Sequence, residues 1–363
     1  METKKNQYYP QIAFHPGETL KEKLEELGMG PKEFAIRTGK PEKTIIAILK
    51  CKSSITPEMA VQFEHVLKIP AHFWLNMQRT FDEFLAREER NELIKESADW
   101  AKKFPIADMV KKGWLAKKGT IEEKTSELLA FFSISNHSAW EDYYFNQQLK
   151  VAFRISLAHI KDPYAISAWL RKGELQAAEL ISKPYDEKVF KECLLEIKAI
   201  MARHPENFFG QLQRVCLNAG VKVVHTPCVN KAPISGSTRW LGDTPLIQLT
   251  GRYKRNDSFW FTFFHEAGHI LLHGKKDIFL EDIDYSEKDK QKENEADSFA
   301  VKWTLSKEEE DEVLKRFNAS ENEIIKLATK FNTHPAIIVG RLQHEGVLPY
   351  SFGRKFFVPV EFE

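Results

Sequence analysis

His265-Glu266-Ala267-Gly268-His269 is the stretch on which the reading of this chain turns. It follows the run Phe259-Trp260-Phe261-Thr262-Phe263-Phe264 and leads into Ile270-Leu271-Leu272. An apolar segment of this length predicts a helix set into a core. Two histidines four positions apart share one face of that helix and can hold a single zinc ion. Glu266 then projects beside the metal, where a carboxylate can take a proton from water. The same pattern occurs by accident on helix surfaces. Here, however, two imidazoles and a carboxylate among bulky aromatics would be costly to bury without a compensating ion. A zinc hydrolase is the expectation.

Such a site needs a third protein ligand and leaves one position open. The segment Lys292-Glu293-Asn294-Glu295-Ala296-Asp297-Ser298-Phe299-Ala300 is expected to supply it from a second helix. Glu293 and Asp297 are four apart and share a face, so Glu293 is expected to bind the metal while Asp297 braces a histidine ring. Glu295 is the disfavoured alternative, lying about 160° from Asp297 around the helix. His273 continues the four-residue spacing. The pattern HExxHxxGxxH needs a glycine before its third histidine, though, and none stands between His269 and His273. His273 is therefore expected to be a helix-end residue hydrogen-bonded near Gly274 rather than a ligand. Oxyanion stabilisation has only nearby candidates: Tyr253, Tyr285 and His225.

Before this helix, Val221-Lys222-Val223-Val224-His225, Ser237-Thr238-Arg239-Trp240-Leu241 and Pro245-Leu246-Ile247-Gln248-Leu249-Thr250 are β-type runs. They predict a small sheet of two or three strands. A sheet beside a metal helix suits a peptidase, because an edge strand can bind an extended peptide.

Composition sets the bounds. The chain has 363 residues, room for two or three domains. It is 42% apolar and 29% charged, as a soluble globular protein is. A net charge of +1 gives no global field toward nucleic acid or membrane, so any basic surface must be local. Cys51, Cys193, Cys216 and Cys228 are widely separated and form no CxxC pair, which fits a reducing compartment and buried thiols. Met1 to Gln7 lacks the apolar core of a signal peptide, and no uncharged apolar stretch approaches the ~20 residues of a membrane span. A cytoplasmic protein with no membrane partner is expected.

Residues 16–90 read as short helices. Leu20, Leu24 and Leu27 have helical spacing before Gly28; a second helix, Pro31 to Thr38, ends at Gly39; a third begins at Pro41. Thr56 then Pro57 is a helix start, and another helix follows Pro70. Two short helices around a tight glycine turn describe a helix-turn-helix. Lys32, Arg37, Lys40, Lys43, Lys50 and Lys52 outnumber Glu33 and Glu42 there, as phosphate contact requires. From the residues alone, a solvated helical bundle is an equal alternative. Residues 91–205 are charged and helix-rich, with Thr120 and Pro184-Tyr185-Asp186 opening helices. Their aromatics (Trp114, Trp140, Tyr143, Tyr144, Phe145, Trp169) are expected in a core, with a partner groove as the minority reading.

Two resemblances extend this. His15-Pro16-Gly17-Glu18-Thr19-Leu20, Glu33-Phe34-Ala35, Gly39, Thr44-Ile45, Ile55-Thr56-Pro57-Glu58-Met59-Ala60 and Phe73-Trp74-Leu75-Asn76-Met77-Gln78 resemble the HigA-type antitoxin helix-turn-helix. By position in that motif, Lys40, Glu42, Lys43 and Thr44 would face the DNA groove. Lys50-Cys51-Lys52 departs from the pattern, standing where the family usually has a glycine turn. Phe264 through Gly274 and Glu293 through Ala300 resemble the ImmA/IrrE metallo-endopeptidases, as do Arg239-Trp240 and Pro335 to Leu342. That resemblance implies a gluzincin-like fold with zinc on His265, His269 and Glu293, and Glu266 as base. It also implies substrates that are often helix-turn-helix repressors. Here too there is a departure: Thr304-Leu305-Ser306 replaces the family's apolar residues ending in proline.

The expected protein is mainly α with a small α+β part. Residues 1–90 form a helix-turn-helix DNA-binding domain, 91–205 a helical connecting or sensor segment, and 206–363 a gluzincin-like zinc peptidase domain with a small sheet. Operator DNA, a cleaved regulatory protein, a toxin and a second copy of the chain are the expected partners. The rival expectation is an antitoxin or regulator whose metal domain senses a ligand without cutting. A third is a toxin-binding module built on the helical middle.

Overall fold

Prolines and side-chain caps place the helix starts of the N-terminal region. Helices α1 (Pro16–Glu26), α2 (Pro31–Thr38), α3 (Glu42–Leu49), α4 (Pro57–Leu67) and α5 (Ala71–Glu96) follow in order. Proline opens α1, α2 and α4, where its missing N–H has no helical partner to lose. The Gly17 N–H donates to His15 Nδ1 at 2.9 Å, and the Met59 N–H donates to Thr56 Oγ1 at 3.3 Å. Gly39, at φ 65°, ends α2 in the left-handed conformation and turns the chain into α3. Leu20, Leu24, Phe34, Ile45, Ile48, Phe63 and Trp74 form the core between these helices.

The computed structural model describes residues 12–144, 162–273, 275, 279–280, 287–316 and 320–362. The chain divides into two compact units, residues 1–96 and 97–363. Tyr285, Phe145 and Gly274, named in the sequence reading, lie outside the described residues. Among the described residues, no helix is long and apolar enough to cross a membrane.

The turn after α3 keeps a glycine-type geometry without glycine. Cys51 sits at φ 57°. Its N–H bonds the Ile48 carbonyl, and the Lys52 N–H bonds the Ala47 carbonyl, both at 2.9 Å. A side chain in this conformation costs about 1 kcal/mol. Cys51→Gly is therefore expected to stabilise the chain by about 0.5–1 kcal/mol, read as a higher unfolding midpoint. A lower midpoint would mean that packing of the Cys51 side chain outweighs the backbone term.

The second unit begins with α6 (Ala98–Ala101), α7 (Ile106–Lys111), α8 (Ile121–Phe132), α9 (His137–Trp140), α10 (Pro163–Ala178), α11 (Glu187–Arg203) and α12 (Phe208–Asn218). Thr120 and Glu123 cap α8 reciprocally, and Asp186 caps α11. Trp140, Tyr144 and Trp169 are buried, Trp114 is half-buried and Tyr143 is exposed. Trp100, Phe104, Phe132, Trp140 and Tyr164 pack ring against ring, so most of these aromatics are core.

Strands β1 (Lys222–His225), β2 (Gly236–Leu241) and β3 (Thr244–Leu249) precede α13 (Asn256–Leu272), and the two-residue β4 (Phe279–Leu280) follows it. The order is β1-β3-β2-β4, with β1 parallel to β3 and the other pairs antiparallel. The sheet thus has one strand more than expected, because two residues are too few to show alternation in a sequence. Then come α14 (Glu287–Thr304), α15 (Lys307–Arg316), α16 (Glu321–Phe331) and α17 (Pro335–His344).

Neighbouring residues of β2 reach opposite faces of the sheet. Thr238 Oγ1 donates to the Glu266 carbonyl of α13 at 2.9 Å. Arg239, fully buried, reaches α10: it meets Glu174 at 3.4 Å, Gln248 Oε1 at 3.1 Å and the Leu170 carbonyl. The Trp169 indole N–H donates to the Thr226 carbonyl at 2.9 Å and adds to this seam. The sheet therefore sits between α10 and α13, and the metal-type helix is buried against it.

Candidate metal centre

His265, Glu266 and His269 are all buried, at 2%, 0% and 1% exposure, where α13 packs against β2 and α14. Their close neighbour on α14 is Glu293, and potential ligand atoms of His265, His269 and Glu293 lie within 4.8 Å of one another. The two Nε2 atoms are 3.0 Å apart. Glu293 approaches them at 3.2 Å from His265 and 3.5 Å from His269.

Each imidazole is held from behind. His265 Nδ1 lies 2.9 Å from Asp297 Oδ1, which assigns the proton to Nδ1 and leaves Nε2 as an acceptor aimed at the cluster. His269 Nδ1 lies 2.9 Å from His273 Nδ1, and His273 Nε2 lies 3.1 Å from Glu295 Oε2. His273 stands just past the end of α13 with extended backbone, while its N–H still bonds the His269 carbonyl at 3.2 Å. Glu295 is turned to His273, not to the cluster, and Asp297 is turned to His265.

The electrostatics suit a cation. Burial works against a charged Glu293, but the two imidazoles facing it outweigh burial and bring its pKa down to about 2. Burial, opposed by the hydrogen bond to Glu293, takes His269 down to about 4. A carboxylate and two imidazole nitrogens that face one another are a donor set for a divalent ion, and they fit one.

Glu266 lies against the start of β2. A Cβ at Gly236 would stand 2.6 Å from Glu266 Oε1 and 2.7 Å from Thr262 Cγ2. The end of α14 closes without the proline expected of it. Thr304 Oγ1 bonds back to the Ala300 carbonyl at 2.7 Å, and Thr333 Oγ1 donates to the Thr304 carbonyl at 2.8 Å. Ser306 and Glu309 then cap α15 reciprocally. Of the oxyanion candidates, Tyr253 is exposed and lines a cavity beside α13. His225 is held on Phe362 and on the Thr250 carbonyl, 3.1 Å from its Nε2.

In the first unit, Glu42 and Lys43 are exposed and Thr44 half-buried on the first turn of α3. Lys40 is committed elsewhere: its amine meets Glu58 at 2.7 Å. Lys50 and Lys52, exposed beyond α3, make no ion pair among the described residues. Sequence reasoning missed Gly236, and it named His273 and Glu295 without their contacts to His269 and to each other. The continued four-residue spacing was the available signal for His273. For Gly236 there was none.

A family model, the IrrE N-terminal-like domain of peptidase family M78, matches residues 216–343. The uncharacterized HTH-type transcriptional regulator YddM of Escherichia coli (strain K12) is 33% identical over 75 residues, which are 21% of this chain and 78% of that protein. Two solved structures are similar over about a quarter of the chain. An addiction module antidote protein of the HigA family from Coxiella burnetii is 30% identical over 24% of this chain and 95% of its own, with a TM-score of 0.23. Pseudomonas aeruginosa antitoxin HigA with the higBA promoter is 26% identical over 23% and 94%, also with a TM-score of 0.23.

Proposed function

Since the chain belongs to the HTH-type transcriptional regulators and carries an IrrE N-terminal-like domain over residues 216–343, we propose that it is a DNA-binding zinc endopeptidase that cuts a regulatory protein. The observation that carries this reading is the convergence of His265, His269 and Glu293, each imidazole braced from behind, beside a fully buried Glu266. Held by these three side chains, zinc would supply Lewis acidity to water and to the scissile carbonyl. Glu266 accepts the proton of the attacking water and passes it to the leaving amine. Asp297 and His273 hold the two imidazoles in the tautomer that offers Nε2. A helix-turn-helix repressor is the substrate we favour, with Lys43 and Thr44 facing operator DNA and Lys50 and Lys52 on its phosphates. A homodimer would match paired half-sites, and a toxin is a further partner.

The test uses the full chain with stoichiometric zinc against the chelated chain, each incubated with a complex peptide library and read by mass spectrometry. Cleavage that needs zinc is expected. Cleavage that survives chelation, or a zinc-loaded chain that cuts nothing, would overturn the peptidase reading and favour a ligand-sensing regulator.

The brace behind His269 has its own expected result. His273→Ala should weaken zinc binding about tenfold to a hundredfold, measured by competition with a chromophoric chelator. Unchanged affinity would mean that the His269–His273 contact does not orient the ligand.

A further inference from the structure

A cavity of about 460 Å³ lies alongside α13, lined by Ser235, Tyr253, Ser258, Thr262, Asp297 and Arg341, among others. Its size is within the range of small-ligand and side-chain sites. It adjoins the centre through two of these residues. Asp297 is the partner of His265 at 2.9 Å, and Thr262 stands one helical turn before Glu266.

The acids on its wall are engaged with other partners than Arg341. Asp257, also on the wall, is already taken: Arg255 holds both of its oxygens, Oδ1 at 3.0 Å and Oδ2 at 2.7 Å. Asp297 faces His265. Among the described residues, no carboxylate or carbonyl pairs with Arg341, a half-buried side chain in the last turn of α17. A guanidinium offers five donors in a planar fork that matches a carboxylate. A free one, partly withdrawn from water beside hydroxyls, is suited to bind an anion rather than to stabilise the fold.

We propose that Arg341 forms a subsite for a carboxylate of the bound peptide, beside the bond that is cut. This rests on the peptidase reading and deepens it by naming a substrate class. The carboxylate has two sources, an Asp or Glu side chain or the C-terminus of the peptide. An acidic side chain makes the chain an endopeptidase with charge selectivity, and a C-terminus makes it trim ends.

Binding is separable from cutting, so the experiment reads both. Fluorescein-labelled peptides of one length are titrated into the zinc-loaded Glu266→Gln chain. One set is amidated at the C-terminus and carries a single Glu, Gln or Lys; another is uncharged with a free C-terminus. The Glu peptide is expected to bind about tenfold more tightly than the Gln peptide. Arg341→Gln should remove that preference, Arg341→Lys should keep part of it, and Arg341→Glu should turn it toward the Lys peptide. A preference confined to the free C-terminus assigns the end-trimming source and keeps the subsite. Equal affinity for the Glu and Gln peptides with no gain from the free C-terminus overturns the subsite, and that comparison needs no variant. So does a preference that survives Arg341→Gln. If the carboxylate preference holds but the zinc-loaded wild-type chain cuts none of the peptides, the subsite stands and the peptidase reading falls. If the wild-type chain cuts the peptides while all of them bind alike, the peptidase reading stands and the subsite falls.

Discussion

Glu266→Gln is expected to reduce zinc-dependent peptide cleavage about a hundredfold to ten-thousandfold, the range for loss of a positioned general base. Glutamine keeps the shape of the side chain, and the three proposed ligands are untouched. Zinc stoichiometry and the unfolding midpoint should therefore stay near those of the wild type. DNA affinity should not change, since the exposed cations around α3 belong to the other unit. The measurements are kcat/KM on a cleaved peptide, metal content and operator binding of the same preparation. Cleavage within tenfold of wild type would place the base elsewhere. If a cellular phenotype survives this change while Lys43→Ala removes it, the chain acts as a regulator and the buried carboxylate has another use.

Gly236→Ala should reach a comparable loss by steric means alone. The added methyl would stand 2.6 Å from Glu266 Oε1 and 2.7 Å from Thr262 Cγ2, closer than real contacts allow. The strand cannot easily retreat, because Gly236 pairs with Leu249 of β3 and the next residue, Ser237, pairs with Leu280 of β4. Thr262 is fixed in α13, so the carboxylate end of Glu266 gives way. Overpacking of this kind costs about 1–3 kcal/mol of stability. Moving a catalytic group by about 1 Å costs on the order of a hundredfold in rate. The expected signature is a fall in kcat/KM at full zinc occupancy with only a modest drop in unfolding temperature. Wild-type activity in this variant would show that the carboxylate tolerates displacement, or that it is not the base.

How far the site could be read in advance depended on the kind of spacing involved. His265 and His269 are separated by one helical turn, and so are Glu293 and Asp297. Their shared faces follow from helix geometry. The structure places Glu293 and Asp297 on His265 accordingly. His273 lies at the same spacing, but the chain leaves the helix there, and no helical rule says where a side chain at such an end will point. Its contact with His269, and the further step to Glu295, appear only with the backbone in place. Lys40 shows a second limit of such rules. Its place in the motif suggested the groove, yet Glu58 on α4 holds its amine, a partner that charge counting along the chain does not reveal.

Periodicity, prolines and capping residues were enough to show from the chain alone that this is a helical protein with a run of short helices at one end, and a small sheet and a helix carrying two histidines on one face at the other. Those signals are local, and local backbone preference acts within a turn or a strand. Four features waited for the packed molecule: the fourth strand, the Arg239–Glu174 seam that binds α10 to the sheet, the closeness of Gly236 to Glu266, and the place of Arg341 on the cavity wall. Each brings together groups far apart in the chain, or depends on which neighbours are already paired. Only close packing of whole elements decides that.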